Sequence, residues 1–189
     1  MTVTSEIRFR RFDPRDADAV VALDEWAMGE TATNVADIPE YEDVRDVKAA
    51  YLDAGGDFVV GIIECREDEM GDRIDTADGR RLETSDGVVV AMGGFLPNEA
   101  GHDDERTVAG AAELHRMRVA PSCQDRGYGK QLLAELERRA VAAGYTVLLA
   151  TTAKRQERAL RFYPSAGYEL VEESTFGEYE LVHFEKRVK

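Results

Sequence analysis

The sequence has few of the residues that build disulfide frameworks or metal sites. It contains two cysteines, Cys65 and Cys123, and three histidines among its 189 residues. Two cysteines without paired spacing exclude a disulfide scaffold and provide no metal-ligand motif. The histidines, at His102, His115 and His183, lie far apart in the sequence. We therefore predict that the protein has no metal site.

Positive charge is also scarce. The chain carries 24 basic residues against 38 acidic ones, a formal net charge of −14, and only five of the basic residues are lysine. Such a surface repels phosphate backbones, which argues against binding of nucleic acid. The acidic residues are spread along the whole chain, which favours an acidic surface adapted to a saline, halophilic cytoplasm. At molar salt the Debye length is about 3 Å, so long-range electrostatic steering of a cationic amine would be screened. Equal stability at low and molar salt would contradict this hypothesis.

Long hydrophobic runs are absent, although 43% of the residues are hydrophobic. No stretch approaches the length of a membrane span, and the first residues lack the basic and apolar segments of a secretory signal. We therefore expect a cytoplasmic protein that does not associate with membranes. Its length predicts one domain over residues 1–189.

The informative part of the chain is the stretch from Glu113 to Tyr128. It begins as a short apolar strand, breaks at Pro121, and passes through two glycines, Gly127 and Gly129, into a segment with helical spacing. Backbone N–H groups at such a helix start have no partners of their own, and the helix dipole favours negative charge there. The stretch therefore predicts a cradle for an anion.

The remaining periodicity predicts the order β-α-α-β-β-β-α-β-α-β-β. Asp13 and Pro14 mark the start of the first helix, and a second helix carries Val44, Val47 and Tyr51 on one face. The segments 66–87 and 97–107 are polar and are expected to be exposed loops. This order indicates an α+β fold, a mixed α/β sandwich with a single central mixed sheet and helices on both faces.

Two familiar phosphate-binding motifs do not fit the cradle. A P-loop needs glycine where Gln124 stands and Ser or Thr where Gln131 stands, and a dinucleotide-binding turn needs another glycine after Gly129. The spacing Gln-x-x-Gly-x-Gly over 124–129 instead resembles the acetyl-CoA loop of the GNAT N-acetyltransferase superfamily. A second segment, Gln156 to Tyr168, resembles that family's Asn-x-x-Ala-x-x-x-Tyr…Gly-Phe motif.

The resemblance implies a GNAT fold and acetyl-CoA as cosubstrate. In that family the central strand is bulged and splayed from its neighbour. The resemblance therefore implies that Met117, Arg118 and Val119 bind the pantetheine arm. The pyrophosphate would lie on the N–H groups of the cradle. Gln156 and Phe162 complete the expected cofactor contacts, and Arg158 or Arg161 would reach the adenosine 3′-phosphate. The cradle residues are Gln124, Asp125, Arg126, Gly127, Tyr128, Gly129 and Lys130.

The resemblance also implies two catalytic residues. Glu113 matches the glutamate that some members use to deprotonate the amine, and four residues along a regular strand should place it on the same face as Met117. His115 is a second candidate for the base, since its ordinary pKa suits proton transfer. Tyr163 would protonate the departing thiolate, although Pro164 disfavours a helical backbone at that position.

The sequence thus predicts an N-acetyltransferase that moves an acetyl group from acetyl-CoA to a primary amine in a ternary complex. The acceptor is left open between a small-molecule amine and a peptide amine, either a protein N-terminus or a lysine. A CoA-binding regulatory module without catalysis is the alternative from another class. Assembly into a homodimer is left open as well. Acceptor specificity is expected from the region between Trp26 and Tyr51 and from the last hairpin.

Overall fold

Eight strands form one mixed sheet in the order β1-β2-β4-β5-β6-β8-β7, with the short β3 paired to β4. The structure is a computed structural model and describes residues 6–29, 41–64, 82–100 and 102–189. The strands are β1 Ile7–Arg11, β2 Asp57–Ile63, β3 Glu83–Thr84, β4 Gly87–Pro97, β5 Ala112–Val119, β6 Val147–Ala153, β7 Glu169–Phe176 and β8 Tyr179–Arg187. All neighbours pair antiparallel except β5 and β6, which are parallel. The predicted mixed sheet is confirmed.

In the described part of the chain, three α-helices pack against this sheet: α1 Ala17–Gly29, α2 Tyr128–Ala142 and α3 Glu157–Ser165. The turn that leads into α1 has the predicted cap. The Asp13 side chain accepts a hydrogen bond from the Arg15 N–H at 3.0 Å, and Asp16 Oδ2 accepts one from the Asp13 N–H at 2.9 Å. This reciprocal arrangement satisfies backbone donors that the start of a helix leaves unpaired.

The predicted second helix takes a different form. Residues Tyr41–Asp46 form a 3-10 helix and Lys48–Leu52 form a wider turn, in which the Asp53 N–H bonds to the Lys48 carbonyl at 2.8 Å. Its apolar face is nevertheless buried as expected, with Val44, Val47 and Tyr51 at most 2% exposed. The tight and wide turns carry Tyr51 to a position where its hydroxyl donates to Asp43 at 2.5 Å.

Two consecutive glycines of β4 show how the two faces of the sheet are covered. A Cβ on Gly93 would lie 3.2 Å from Leu136 of α2, whereas a Cβ on Gly94 would lie 2.7 Å from Phe58 and 3.0 Å from Tyr51. The helix α2 therefore covers one face, and the turns around Tyr51 cover the other. The absence of side chains at these two positions lets both layers approach β4 closely.

Two segments that the sequence analysis singled out lie wholly or partly outside the described residues. The first segment is residues 30–40, so only the two ends of the predicted acceptor region, which runs from Trp26 to Tyr51, can be described. The other is 65–81, which contains most of the predicted 66–87 loop. Its described end, Glu83–Thr84, pairs with the start of β4. Within the described ranges, no helix is both long and apolar enough to cross a membrane.

Candidate active site

A bulge in β5 shapes the centre of the site. Arg116 has a left-handed backbone with φ of 52°, and the pairing of β5 with β4 shifts register between Met92 and Gly94. Such a conformation is uncommon for a residue other than glycine. The Arg116 side chain is held by Asp43, whose two carboxylate oxygens each lie 3.0 Å from its Nε. The splayed central strand expected from the family resemblance is therefore present.

The bulge changes which side chains share a face. Arg118 reaches Asp24 of α1 at 3.0 Å. Met117 packs on the opposite side, where its Cγ lies 3.2 Å from the point a Gly93 Cβ would occupy, beside Leu136. The prediction that Glu113 and Met117 face the same side is therefore wrong, because it assumed a regular strand and the extra residue of a bulge inverts the alternation.

The neighbouring parallel strands separate just beyond their first contacts. Ala112 pairs with Leu148 and Glu113 with Leu149, and no further pairs join β5 to β6 among the described residues. β5 nevertheless continues to Val119, and β6 continues to Ala153. The two strands thus diverge into a cleft whose walls carry backbone polar groups. Such groups need partners, which an extended ligand with amide groups can supply.

The predicted anion cradle lies at the end of this cleft. A 3-10 turn at Pro121–Cys123 leads to Asp125 and Gly127, which have φ of 61° and 82°, and α2 begins at Tyr128. The first intrahelical bond runs from the Gln131 N–H to the Gly127 carbonyl. No described side chain caps this end, and the first turn holds no acidic residue. The helix start therefore suits an anion.

The cradle has open space in front of Gly127 and the third helix beside it. A Cβ at Gly127 would meet no atom within 4 Å, whereas one at Gly129 would lie 3.5 Å from the Phe162 ring. The Gln124 side chain donates to the Val119 carbonyl at 3.3 Å and so fastens the loop to β5. The predicted cofactor residues of the cradle and Phe162 are thus close together.

Basic side chains surround the cradle at the surface. Arg126 is exposed and donates to the Ser122 carbonyl at 3.2 Å, and Lys130 is exposed in the first turn of α2. Arg158 of α3 pairs with Asp125 at 3.3 Å across the cleft, and both side chains are largely exposed. Exposed pairs of this kind contribute little stability and exchange readily. Arg158 can therefore turn to a phosphate.

Glu113 is buried at the closed end of the cleft, with 1% of the residue exposed. Its Oε1 accepts a hydrogen bond from Thr151 Oγ1 at 2.9 Å, and its Oε2 accepts one from Asn98 Nδ2 at 3.3 Å. Burial raises the pKa of the Glu113 carboxyl well above its ordinary value, the nearby Glu105 carboxylate raises it further, and the Thr151 bond opposes both.

Thr151 connects Glu113 to a histidine that the sequence analysis did not select for the site. Thr151 Oγ1 lies 3.0 Å from His183 Nδ1, and His183 Nε2 lies 2.7 Å from Ser174 Oγ. Since the single hydroxyl proton of Thr151 goes to Glu113, Nδ1 must donate to Thr151 and Nε2 must accept from Ser174. Burial lowers the pKa of His183, which favours this neutral form. The chain of bonds orients the Glu113 carboxylate.

A pocket of about 150 Å³ opens beside Glu113. His115 also lines it, and burial lowers the pKa of His115 to about 3, so this imidazole is a much weaker base than its ordinary pKa suggested. The pocket brings together Glu113, His115, Arg118 and Gln156 of the predicted residues. The lining also includes Phe176 and Tyr179 of the last hairpin, from which the sequence predicts acceptor specificity, and four residues missed from the sequence: His102, Asp104, Glu105 and Thr151.

Three donors in this lining could hold a metal ion. One ligand atom from each of His102, Glu105 and His115 lies within 4.8 Å of the other two. His102 and His115, which are far apart in the sequence, therefore lie close together in space, because a loop between β4 and β5 folds back on β5. The histidine rings are 5.0 Å apart between centroids. The sequence offered only a His-x-x-Glu spacing at 102 and 105 as a signal.

Tyr163 lies within α3, which continues through Pro164 to Ser165. Tyr163 therefore keeps a helical backbone although a proline, which disfavours one, follows it. The Tyr163 ring is 8% exposed and packs against Phe184 with 5.4 Å between centroids. Burial raises the pKa of Tyr163 to about 12, Arg118 opposes this and Glu113 adds to it. Tyr163 does not line the pocket beside Glu113.

Gln156 immediately precedes α3 and lines the pocket. Its Oε1 accepts a hydrogen bond from Thr152 Oγ1 at 3.1 Å, and its side chain does not cap the helix. The amide is thereby held at the β6 wall of the cleft. The predicted cofactor residues consequently divide between the cradle, the bulge and this wall, and of these Arg118 and Gln156 line the pocket beside Glu113.

A mixed sheet that splits beside an uncapped helix N-terminus defines a protein that binds an extended, phosphate-bearing ligand. The sequence model described as the acetyltransferase (GNAT) family matches residues 49–168. The chain therefore belongs to the GNAT acetyltransferase family, whose cosubstrate is acetyl-CoA. No curated protein matches the chain significantly in sequence.

Solved structures share the fold at low sequence identity. A GNAT-family acetyltransferase of Staphylococcus aureus Mu50 is 15% identical, with a TM-score of 0.69 over 97% of this chain and 100% of its own. The yncA protein of Salmonella typhimurium, solved with its cofactor acetyl-CoA, is 19% identical, with a TM-score of 0.66 over 98% and 95%. Ribosomal-protein-alanine N-acetyltransferase from Brucella melitensis is 20% identical, with a TM-score of 0.66 over 96% and 99%.

The cradle can be tested with a matched pair of glycine substitutions. Gly127→Val fills the open space at the start of α2, and Gly144→Val makes a similar change past the end of the same helix, where φ is 97° and nothing lies within 4 Å. Both strain a left-handed backbone, by about 1–3 kcal/mol. Calorimetric titration with CoA should show at least a tenfold loss of affinity for Gly127→Val alone. Equal affinity in both variants would exclude this cradle.

Proposed function

We propose that this chain transfers the acetyl group of acetyl-CoA to the primary amine of a small molecule by direct attack in a ternary complex, in the cytoplasm. The observation that carries the proposal is the cleft between β5 and β6, which runs from the α2 N-terminus to the buried carboxylate of Glu113. When bound there, acetyl-CoA would supply the activated acetyl thioester. Residues of the chain would hold the cosubstrate and move the protons.

The first task is to hold the cosubstrate. Its pyrophosphate fits the N–H groups at the start of α2, with Arg126, Lys130 and Arg158 supplying charge. Along β5, the Met117 carbonyl accepts from Arg118 at 3.1 Å, and the Val119 carbonyl accepts from Gln124. A carbonyl oxygen has two lone pairs, so each can still bond an amide of the pantetheine arm. The N–H of Met117, at the bulge, is the candidate donor to the thioester carbonyl.

The second task is to remove a proton from the amine, which we assign to Glu113. Its carboxylate lies at the base of the pocket, and hydrogen bonds from Thr151 and Asn98 hold it in one orientation. Positioned groups of this kind accelerate proton transfer because their geometry needs no reorganisation. His115 lies two residues away on the same strand. Its lowered pKa makes it the weaker candidate for the base.

The third task is to return a proton to the departing sulfur, which we assign to Tyr163. A hydroxyl with a pKa of about 12 carries its proton at neutral pH and is available as a donor. Its ring lies 5.4 Å between centroids from that of Phe162, which stands beside Gly129 of the cradle, and this proximity supports the assignment. Acid and base would then approach the reacting groups from different walls.

The choice of a small amine rests on the pocket. Its volume of about 150 Å³ suits a short aliphatic amine, and its lining combines the carboxylates of Asp104 and Glu105 with the rings of Phe176 and Tyr179. A peptide amine is the second candidate, and the fold shared with an enzyme named for ribosomal-protein alanine supports keeping it. Thiol release from acetyl-CoA over a panel of small amines, lysine peptides and N-terminal peptides separates the two. Tight CoA binding without turnover on any of them would support the non-catalytic module.

Glu113→Gln tests the base. Glutamine keeps the shape and can still accept from Thr151, but it cannot take a proton, so turnover should fall by about 10²–10⁴-fold. CoA affinity should not change, because Glu113 lies at the far end of the cleft from the cradle. Glu83→Gln, an exposed change on β3, is the control and should retain wild-type turnover. Thiol release and calorimetry measure the two quantities, and undiminished turnover in Glu113→Gln would remove it from the mechanism.

Tyr163→Phe tests the acid. The ring packing against Phe184 is preserved while the proton is lost, so kcat should fall by about 10²-fold or more with little change in CoA affinity. Tyr168→Phe is the matched control, since its ring lies 5.4 Å from that of Tyr163 and is also buried, and no step of the reaction is assigned to it. If both variants behave alike in single-turnover assays, the hydroxyl of Tyr163 has no chemical role.

A further inference from the structure

A second set of polar groups stands in the wall of the acceptor pocket, apart from the residues assigned to acetyl transfer. His102 and Glu105 lie in the loop between β4 and β5, and His115 lies on β5. One donor atom from each residue lies within 4.8 Å of the others. The backbone of the loop closes on itself at this point, since the His102 N–H donates to Glu105 Oε2 and the Glu105 N–H donates to the His102 carbonyl.

The Nε2 atom of His115 is the clearest sign that a ligand is needed. The side chain is nine-tenths buried, and among the described residues Nε2 has no hydrogen-bond partner. It does lie 3.2 Å from Glu105 Oε1, but the two atoms are not aligned for a hydrogen bond. Buried polar atoms without partners are rare in folded proteins, and each calls for an explanation.

The spacing of these two atoms suits a shared metal. Zinc binds imidazole nitrogen and carboxylate oxygen at about 2.0–2.2 Å, so neighbouring ligands in a tetrahedral site lie about 3.3 Å apart. The observed 3.2 Å between His115 Nε2 and Glu105 Oε1 matches that separation. The lone pair of a nitrogen without a donor partner is also free to bind a metal.

The charge around the cluster favours a cation. The Glu105 side chain is only 6% exposed, and it lines the same pocket as the buried Glu113. Asp104 lines the same pocket. Arg116 and Arg118, the basic residues of the lining, are directed at Asp43 and Asp24. A divalent ion between Glu105 and the histidines would reduce repulsion among the carboxylates.

We propose that His102, Glu105 and His115 bind one divalent transition-metal ion, with Zn²⁺ as the fitting species, in the wall of the acceptor pocket. Two imidazoles and one carboxylate suit zinc and its first-row neighbours, whereas Mg²⁺ and Ca²⁺ favour sites made of oxygen. The ion fastens the loop to β5 and leaves at least one coordination position facing the pocket. Binding does not depend on acetyl transfer.

The test uses the full chain without a polyhistidine tag, stripped of metal with a chelator that is then removed. Calorimetric titration with ZnCl₂ should show one equivalent bound, and the melting temperature should rise with Zn²⁺ but not with MgCl₂ at the same concentration. His102→Ala, Glu105→Gln and His115→Ala should each weaken Zn²⁺ binding by at least tenfold. Asp103→Ala, an exposed change in the same loop, is the control and should bind as the wild type does.

Two results would overturn the proposal. One is the absence of Zn²⁺ binding by the folded, metal-stripped chain. The other is binding that the three variants leave unchanged or that MgCl₂ competes away, which would indicate adventitious attraction to the acidic surface. Because His115 is buried, circular dichroism checks that its variant folds, and His102→Ala in the more exposed loop decides the question if it does not. No acetyl-CoA enters these measurements, so their outcome is independent of the acetyltransferase assays.

Discussion

The bulge at Arg116 is the constraint on which the rest of the site depends. A left-handed residue in the middle of a strand is unfavourable, and it is held here by a guanidinium bonded to the buried Asp43, which also accepts from Tyr51. Removing one partner of such a buried pair costs about 3–5 kcal/mol, because a charge is then left without its counterpart. The turns around Tyr51, far away in sequence, thereby stabilise the distortion in β5.

Two consequences follow from that distortion. The strands β5 and β6 part after two residue pairs, which opens the cleft, and the side chains beyond the bulge exchange faces. Met117 turns towards α2, and Arg118 turns towards Asp24. The same helix that receives Met117 presents its N-terminus to the far end of the opening. The proposed cosubstrate cradle and the proposed acceptor pocket thus lie at the two ends of one break in the sheet.

Charge is distributed unevenly over these two ends. In a chain of net charge −14, the cradle is bordered by Arg126, Lys130 and Arg158, whereas the pocket contains Glu113 and Glu105. The first end favours phosphates and the second favours amines or metal ions. Under the proposed function, this contrast would keep the anionic cosubstrate and an amine acceptor at opposite ends of the cleft.

The sequence predicted the parts of the site that depend on local chemistry. The glycine spacing at 127 and 129, the cap at Asp13 and the buried strands all follow short-range rules, and the structure confirms the elements they predict. The bulge was expected from the family resemblance alone, because an arginine at left-handed angles is held in place by an aspartate that is distant in the sequence. The sequence did not predict the cluster of His102 with His115 for a similar reason. A loop that folds back on a strand, unlike a helix or a strand itself, leaves no periodic pattern in the sequence.

The central claim is that the break between β5 and β6 binds acetyl-CoA with its phosphates on the start of α2. Backbone amide exchange, followed by mass spectrometry with and without saturating CoA, tests this directly because it reports on N–H groups rather than on side chains. If acetyl-CoA binds in this way, CoA slows exchange over residues 117–131 and leaves exchange in β1, β2 and β7 unchanged. Unaltered exchange over residues 117–131, at a CoA concentration where binding is shown by calorimetry, would contradict it.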